Sequence, residues 1–320
     1  MKVLKISVDF TDSYLQLDLN SLKLDESLVF DIYFERKNTQ AVVIEAGTKL
    51  STKLYDYLKQ QEKLYISIMD TYLQEFTCET LYFYVKYNKN DPQKSLNFIY
   101  DINNILFTNF LNSKDDLIDL SCLEEILQCV VFLVKNNPHY LRETIPHFKN
   151  DYTLAYHSLH VSIYAISLGN FLKLNDNELL QIGKAGMLID IGNKDVNSSI
   201  KDKDSKLTPE EEEEIHKHTK YSIDIAKKNN IDDDIILDAI KHHHERHDTT
   251  GYPDHLESKY ISNFASILAI CDVLDALTSD RPYRKKYSTF NALKIMMEEQ
   301  FMAKKLNQKY IKVFLQSFLK

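Results

Sequence analysis

Nine of the eleven histidines of this 320-residue chain fall between His157 and His255, and three of them are consecutive, His242-His243-His244, with Glu245 next. Imidazole ligates metals and moves protons near neutral pH, so this clustering calls for a chemical reading. Taken singly, each histidine has an ordinary explanation. His157 shares a helical face with Leu154, Val161, Ala165 and Leu168, His218 with Ile215, Ser222 and Ile225, and His243 with Ile236, Ala239 and Ile240. A lone histidine on such a face is more often a satisfied core residue than a ligand. Two aspartates are harder to explain that way. Asp190 lies within Met187-Leu188-Ile189-Asp190-Ile191, and Asp272 shares its face with Ala265, Leu268, Ala269 and Ala276. An unpaired buried carboxylate is costly, so each needs a base, a donor network or a cation. Two such acids and several inward histidines on helices of one bundle match the needs of a two-metal hydrolase, because hard divalent or ferrous ions accept mixed imidazole and carboxylate ligands.

The elements that must position these residues fall into three zones, and the fold class expected is α+β. Residues 1–70 read as a small α/β module: Val3, Ile6 and Val8 open a strand, Leu28–Phe34, Ala41–Ile44 and Leu64–Ile68 follow, and Ser51–Leu58 forms a short helix. Residues 71–150 turn helical, broken by Pro92, Pro138 and Pro146. Their Tyr/Phe stripe (Tyr72, Phe76, Tyr82, Phe83, Tyr84) is helix packing rather than a platform for bases, and the zone serves as a connector or a homodimer surface. Residues 151–320 form an all-α bundle. Within it, Thr208-Pro209-Glu210-Glu211 carries the grammar of a helix start, with the acidic run Glu210–Glu214 in the first turn where the helix dipole favours it.

Bulk properties exclude several classes. A net charge of −8 gives no basic surplus for broad nucleic-acid binding. The longest apolar run, Ile126–Val134, is too short to span a bilayer, and the N-terminus has no apolar segment of signal-peptide length. The four cysteines (Cys78, Cys122, Cys129, Cys271) show no CxxC pair and read as buried thiols of a cytoplasmic protein.

Order and spacing add a resemblance. The stretch His242-His243-His244-Glu245-Arg246-His247-Asp248-Thr249-Thr250-Gly251-Tyr252-Pro253 is similar to the HHE-x-x-D-G-x-GYP signature of the HD-GYP domain family. Downstream, Asp272, Asp275-Ala276-Leu277-Thr278-Ser279 and Arg281-Pro282-Tyr283-Arg284 resemble that family's aspartate, DALTS and RPYR blocks. Tyr152-Thr153 with His157-Ser158, and Leu207-Thr208 through His218, resemble its opening helix and its KLT segment, so the likeness covers the last half of the chain. The resemblance implies an HD-superfamily helical bundle that hydrolyses cyclic di-GMP to pGpG or GMP with two divalent ions, iron or manganese. It also implies His157, Asp190, His218, His243, His244 and Asp272 as metal ligands, with Asp190 bridging and catalytic. Thr153 stands where members with a third ion carry a glutamate. Arg281 and Arg284 match positions that contact substrate phosphates. The Gly251-Tyr252-Pro253 loop matches a wall of the guanine pocket and a docking surface for a diguanylate-cyclase-type partner.

The sequence departs from that pattern at three places. The family's His-Asp-x-Gly-Lys stands as Ile189-Asp190-Ile191-Gly192-Asn193, so one ion loses a ligand and is weakened. Asn193 replaces a phosphate-contacting lysine; Lys194 is the neighbouring candidate, although one residue along a helix turns it by about 100°. Thr249 replaces the glycine after Asp248. Two readings stand side by side: a metal-dependent phosphodiesterase, and a catalytically silent HD-GYP domain that binds cyclic di-GMP or a protein partner. An HD-superfamily hydrolase of another phosphoester is a third, disfavoured by the GYP and RPYR segments.

Overall fold

The computed structural model describes the chain except residues 1, 5–13, 18, 20, 21, 23, 26, 27, 29, 30, 37–39, 46, 47, 62, 68–80, 83, 84, 87–90, 138–152, 202, 204, 205, 281–284, 299–302 and 318–320. The chain divides into two compact units, Met1–Thr80 and Leu81–Lys320.

Among the described residues the first unit is a five-stranded sheet with one helix. Its strands are β1 (Lys2–Leu4), β2 (Tyr14–Gln16), β3 (Ile32–Arg36), β4 (Gln40–Ile44) and β5 (Tyr65–Ser67), in spatial order β1-β4-β3-β5-β2 with every pairing antiparallel. Ile32 and Phe34 are buried while Tyr33 between them is only partly so, the period-two alternation of a sheet with one packed face. Helix α1 (Thr52–Lys59) starts where the Ser51 hydroxyl accepts from the Leu54 amide. Its Leu58 joins Ile32, Phe34, Ile44 and Leu50 in the core.

The named elements of the second unit are, among the described residues, all helical. After α2 (Pro92–Asn112) and α3 (Leu120–Asn136) comes α4 (Leu154–Phe171), followed by α5 (Asp176–Leu188), α6 (Pro209–His216), α7 (His218–Lys228), α8 (Asp234–His242), α9 (Asn263–Thr278), α10 (Thr289–Glu298) and α11 (Gln308–Ser317). Every residue of α4 from Ala155 to Gly169 is buried, so this helix is the axis of the bundle, with α2, α3, α5, α9 and α11 packed against it. The helices of the 71–150 zone pack against α4 and α5 and belong to this same unit; Asn103 of α2 donates to the Ala155 carbonyl at 2.7 Å. Helix α5 approaches α4 so closely that a Cβ on Gly186 would lie 2.9 Å from the Ser162 Cα, and only glycine fits. The expected start of α6 is realised as a full capping box, Thr208 with Glu211. Cys129 and Cys271 are buried, Cys122 is half-buried, and all three are free thiols. Among the described residues no helix is long and apolar enough to cross a membrane.

Candidate metal centre

The centre is organised by the turn that ends α5. After Ile189 the chain leaves the helix at Asp190 (φ −112°, ψ 7°) and makes one 3-10 turn, Ile191–Lys194. Two contacts press this turn onto α7. The Ser222 hydroxyl donates to the Ile189 carbonyl at 2.7 Å and accepts from the Gly192 amide at 2.9 Å. Gly192 itself allows the approach, since a Cβ there would lie 2.3 Å from the His218 carbonyl oxygen.

Asp190 is thereby held between two groups of imidazoles. Its Oδ1 lies 3.2 Å from His218 Nε2 and 3.8 Å from His243 Nε2, and its Oδ2 lies 3.2 Å from His157 Nε2. Asp272 Oδ1 is 3.7 Å from His157 Nε2, and its Oδ2 is 3.8 Å from His244 Nδ1. One ligand atom each from Asp190, His218, His243 and His244 lie within 4.8 Å of one another. His218 Nδ1 and His243 Nδ1 are 2.8 and 2.7 Å from the Ile215 and Ile240 carbonyls. A carbonyl only accepts, so both rings carry hydrogen on Nδ1 and turn Nε2 inward. Asp190 Oδ1, His218 Nε2 and His243 Nε2 are buried with no hydrogen-bond partner among the described residues. Such orphaned polar atoms, converging on one small space, have the chemistry of a cation cage.

Electrostatics agree with this geometry. Burial pushes Asp190 up, but His157 and His218 outweigh it and hold the carboxyl well below the usual range. Burial and the neighbouring His218 lower His243 to about 3, and burial with His243 and His218 keeps His244 well below its ordinary value. Both rings are therefore neutral and able to ligate. Burial raises Asp272, opposed by His157 and reinforced by Asp190, as expected for two acids sharing one cavity.

A family model described as HD domain matches residues 129–304, more than half of the chain. The chain belongs to the HD domain family. A cyclic di-GMP phosphodiesterase of Pseudomonas aeruginosa is 33% identical over 181 residues, covering 57% of this chain and 44% of that protein. A 3'3'-cGAMP-specific phosphodiesterase of Vibrio cholerae is 34% identical, covering 47% of this chain and 32% of the relative. The cyclic di-GMP phosphodiesterase response regulator RpfG of Xanthomonas campestris is 36% identical, covering 38% and 32%. The chain thus spans less than half the length of these relatives. An HDG"Y"P protein from Bdellovibrio bacteriovorus superposes with a TM-score of 0.61 at 19% identity, covering 96% of this chain and 100% of that one, and shares the fold. Within the HD family the chain resembles the HD-GYP type through its His243–Glu245 and Gly251–Pro253 segments.

All six residues expected from this HD-GYP resemblance to ligate metal, namely His157, Asp190, His218, His243, His244 and Asp272, are brought together. Ile189, in the place of the family histidine, is fully buried. Lys194 must be corrected. Its ammonium donates to the Phe110 and Ser113 carbonyls and to Asp116, at 3.2, 2.7 and 2.8 Å, so it closes the C-terminus of α2 and is spent there. Arg281 and Arg284 lie outside the described residues. The Gly251-Tyr252-Pro253 loop does border the cluster. Tyr252 stacks on His216 with centroids 3.7 Å apart and lies 4.6 Å from the His244 ring. Thr249, in place of a glycine, has φ 63°.

Four further residues act here without having been singled out from the sequence. Glu245 of the HHE triplet supports the loop rather than the cluster, accepting from the Asp254 and Leu256 amides at 2.7 and 2.9 Å. Arg246 is anchored through its Nη1 on the His243 and Glu245 carbonyls. Asp275 accepts from His157 and His160. The signal for the last pair was spacing: Asp275 follows Asp272, and His160 follows His157, by three residues, which keeps each pair on one helical face.

Proposed function

We propose that this HD-GYP chain is a metal-dependent phosphodiesterase that hydrolyses cyclic dinucleotides, cyclic di-GMP first among them, to pGpG or GMP. The carrying observation is the convergence of Asp190, His218, His243 and His244, with orphaned inward-facing atoms, on one buried point. Asp190, whose two oxygens face opposite imidazole groups, would bridge two ions: one held with His218, His243 and His244, the other with His157 and Asp272. Divalent ions such as iron or manganese bound there supply Lewis-acid activation of water and of the phosphoryl oxygens. The protein's own part is to hold the ligands neutral or anionic, to keep the imidazoles in one tautomer and to align the phosphodiester beneath the loop. Tyr252 would meet the substrate, and Arg246, Arg281 and Arg284 would balance the phosphate charge. A diguanylate-cyclase-type partner at the loop, and a homodimer, extend the same proposal.

The experiment is turnover of cyclic di-GMP and 3'3'-cGAMP by chain purified without oxygen and loaded with manganese or iron, run beside Ile189→His and Asp190→Ala, with metal content measured on all three. Product from wild type, more from Ile189→His and none from Asp190→Ala is the expected pattern. Absence of product from wild type and Ile189→His with either metal overturns it. The buried Ile189 favours a second reading, a silent cyclic di-GMP-binding domain; calorimetric binding without cleavage by wild type is its mark.

A further inference from the structure

We infer that Asp275, shared between His157 and His160, is the positioning residue that keeps the α4 side of the centre able to hold a cation. The inference rests on the metal-centre reading above and goes beyond it in assigning roles to two residues outside the ligand set.

Asp275 lies one turn after Asp272 on α9 and is 1% exposed. Its Oδ2 is 2.8 Å from His157 Nδ1, and its Oδ1 is 2.7 Å from His160 Nδ1, with the Ser279 hydroxyl at 3.4 Å from the same oxygen. The two imidazole N–H groups satisfy the two oxygens of this buried carboxylate. His157 consequently carries hydrogen on Nδ1, and Nε2 is the atom turned to Asp190 and Asp272.

The two halves of the centre differ in this respect. His218 and His243 are oriented by backbone carbonyls, whereas His157 is oriented by a carboxylate. A carboxylate acceptor makes an imidazole a stronger donor of its other lone pair to a metal. That stronger ligand stands on the side where Ile189 replaces the family histidine, so the carboxylate offsets part of the loss. His160 completes the device. It is 6% exposed and edge-on to the Tyr100 ring at a centroid distance of 5.5 Å. With both oxygens fixed, Asp275 cannot swing toward Asp272 or compete with His157 for the cation.

The test is Mn2+ alone, titrated calorimetrically and by electron paramagnetic resonance into the full chain as wild type, Asp275→Asn, His160→Phe and His160→Asn. Wild type is expected to show a tighter and a weaker class of site. Asp275→Asn should weaken the weaker class by about 10–100-fold and leave the tighter one unchanged. His160→Phe should lower the same class by less, and His160→Asn, whose amide restores a donor to Oδ1, should recover it. The pair at position 160 serves if Asp275→Asn fails to fold. Unchanged Mn2+ affinities in folded variants, even with lowered thermal stability, make the contact merely structural and overturn the inference. A wild type that binds no Mn2+ overturns the metal-centre reading itself.

Discussion

Gly192→Ala is the sharpest test of how the centre is held together. The added methyl would lie 2.3 Å from the His218 carbonyl oxygen and 2.4 Å from the Ser222 amide nitrogen. Both are backbone atoms of α7, so no side-chain rotation relieves the clash. Ordinary van der Waals contact starts at 3.4 Å, and 3.4 minus 2.3 leaves the turn and α7 to part by about 1 Å. Overpacking of this kind costs about 1–3 kcal/mol. Separation also strains the two Ser222 hydrogen bonds, at about 1 kcal/mol each, for a total of about 3–5 kcal/mol. Asp190, two residues before Gly192, moves with the turn and away from His218, now 3.2 Å distant. Misplacement by about 1 Å costs on the order of 100-fold in rate. Urea denaturation in chelator reads the stability, and Mn2+ calorimetry with cyclic di-GMP turnover reads the centre. Gly169→Ala is the control, because its methyl would meet only the side-chain ends of Leu174 and Leu179, at 3.0 Å. Unchanged urea midpoint and Mn2+ affinity in Gly192→Ala would refute the idea that this close approach sets the site.

Thr249→Gly should stabilise. A β-branched residue at φ 63° carries about 1–2 kcal/mol of strain, against an entropic cost of about 0.5–1 kcal/mol for glycine, so the urea midpoint rises by the equivalent of about 0.5–1 kcal/mol; a fall contradicts this. Lys194→Met should lose about 1–3 kcal/mol of stability through its three hydrogen bonds and leave kcat/KM for cyclic di-GMP unchanged; a drop in kcat/KM at constant stability would restore a substrate role. His242 contacts Asp238 and Asp254 at 2.7 and 3.0 Å, and although burial lowers its pKa, the two carboxylates more than compensate and raise it above 6.5. A pKa raised on folding gives stability that is complete below about 6.5, the unfolded value, and is lost as pH rises through the folded one. The anchoring of the loop at Asp254 should therefore weaken on the alkaline side of that window, and an NMR titration placing His242 at or below 6.5 rejects the account.

Much of the centre was legible because its chemistry contradicts its surroundings. Acids and imidazoles on apolar helical faces, such as Asp272 beside Leu268 and Ala269, need an explanation wherever they occur. Helix starts were legible too, since Ser51, Thr208 with Pro209, and their partners act within four residues. Lys194 was less so. Its direction depends on the residues after Asp190 forming a 3-10 turn and on where α2 ends, some eighty residues upstream, and neither is encoded locally. Strand β2 was missed for a similar reason. It has three residues, and its partner β5 lies about fifty residues on, pairing Tyr14 with Ser67. The membership of α2 and α3 in the bundle likewise rests on contacts with α4 and α5 that amphipathic patterning alone leaves without an address. Asp275 was visible only as part of a motif, because its partners are imidazoles on another helix.

The asymmetry of the centre follows from these same contacts. On the α7–α8 side the rings of His218, His243 and His244 cluster with one oxygen of Asp190, with His218 and His243 held by carbonyls and the Asp190 turn held by the Ser222 bridge. On the α4 side the isoleucine at position 189 is fully buried, and its replacement by histidine puts a polar ring into that apolar packing. Without a cation, Ile189→His leaves a buried imidazole needing a partner, at about 1–3 kcal/mol. With a cation the same ring becomes a ligand and the penalty reverses. The variant should therefore be less stable than wild type in chelator and more stable in saturating Mn2+, a crossing of the two melting curves that a substitution harmful only to packing does not produce.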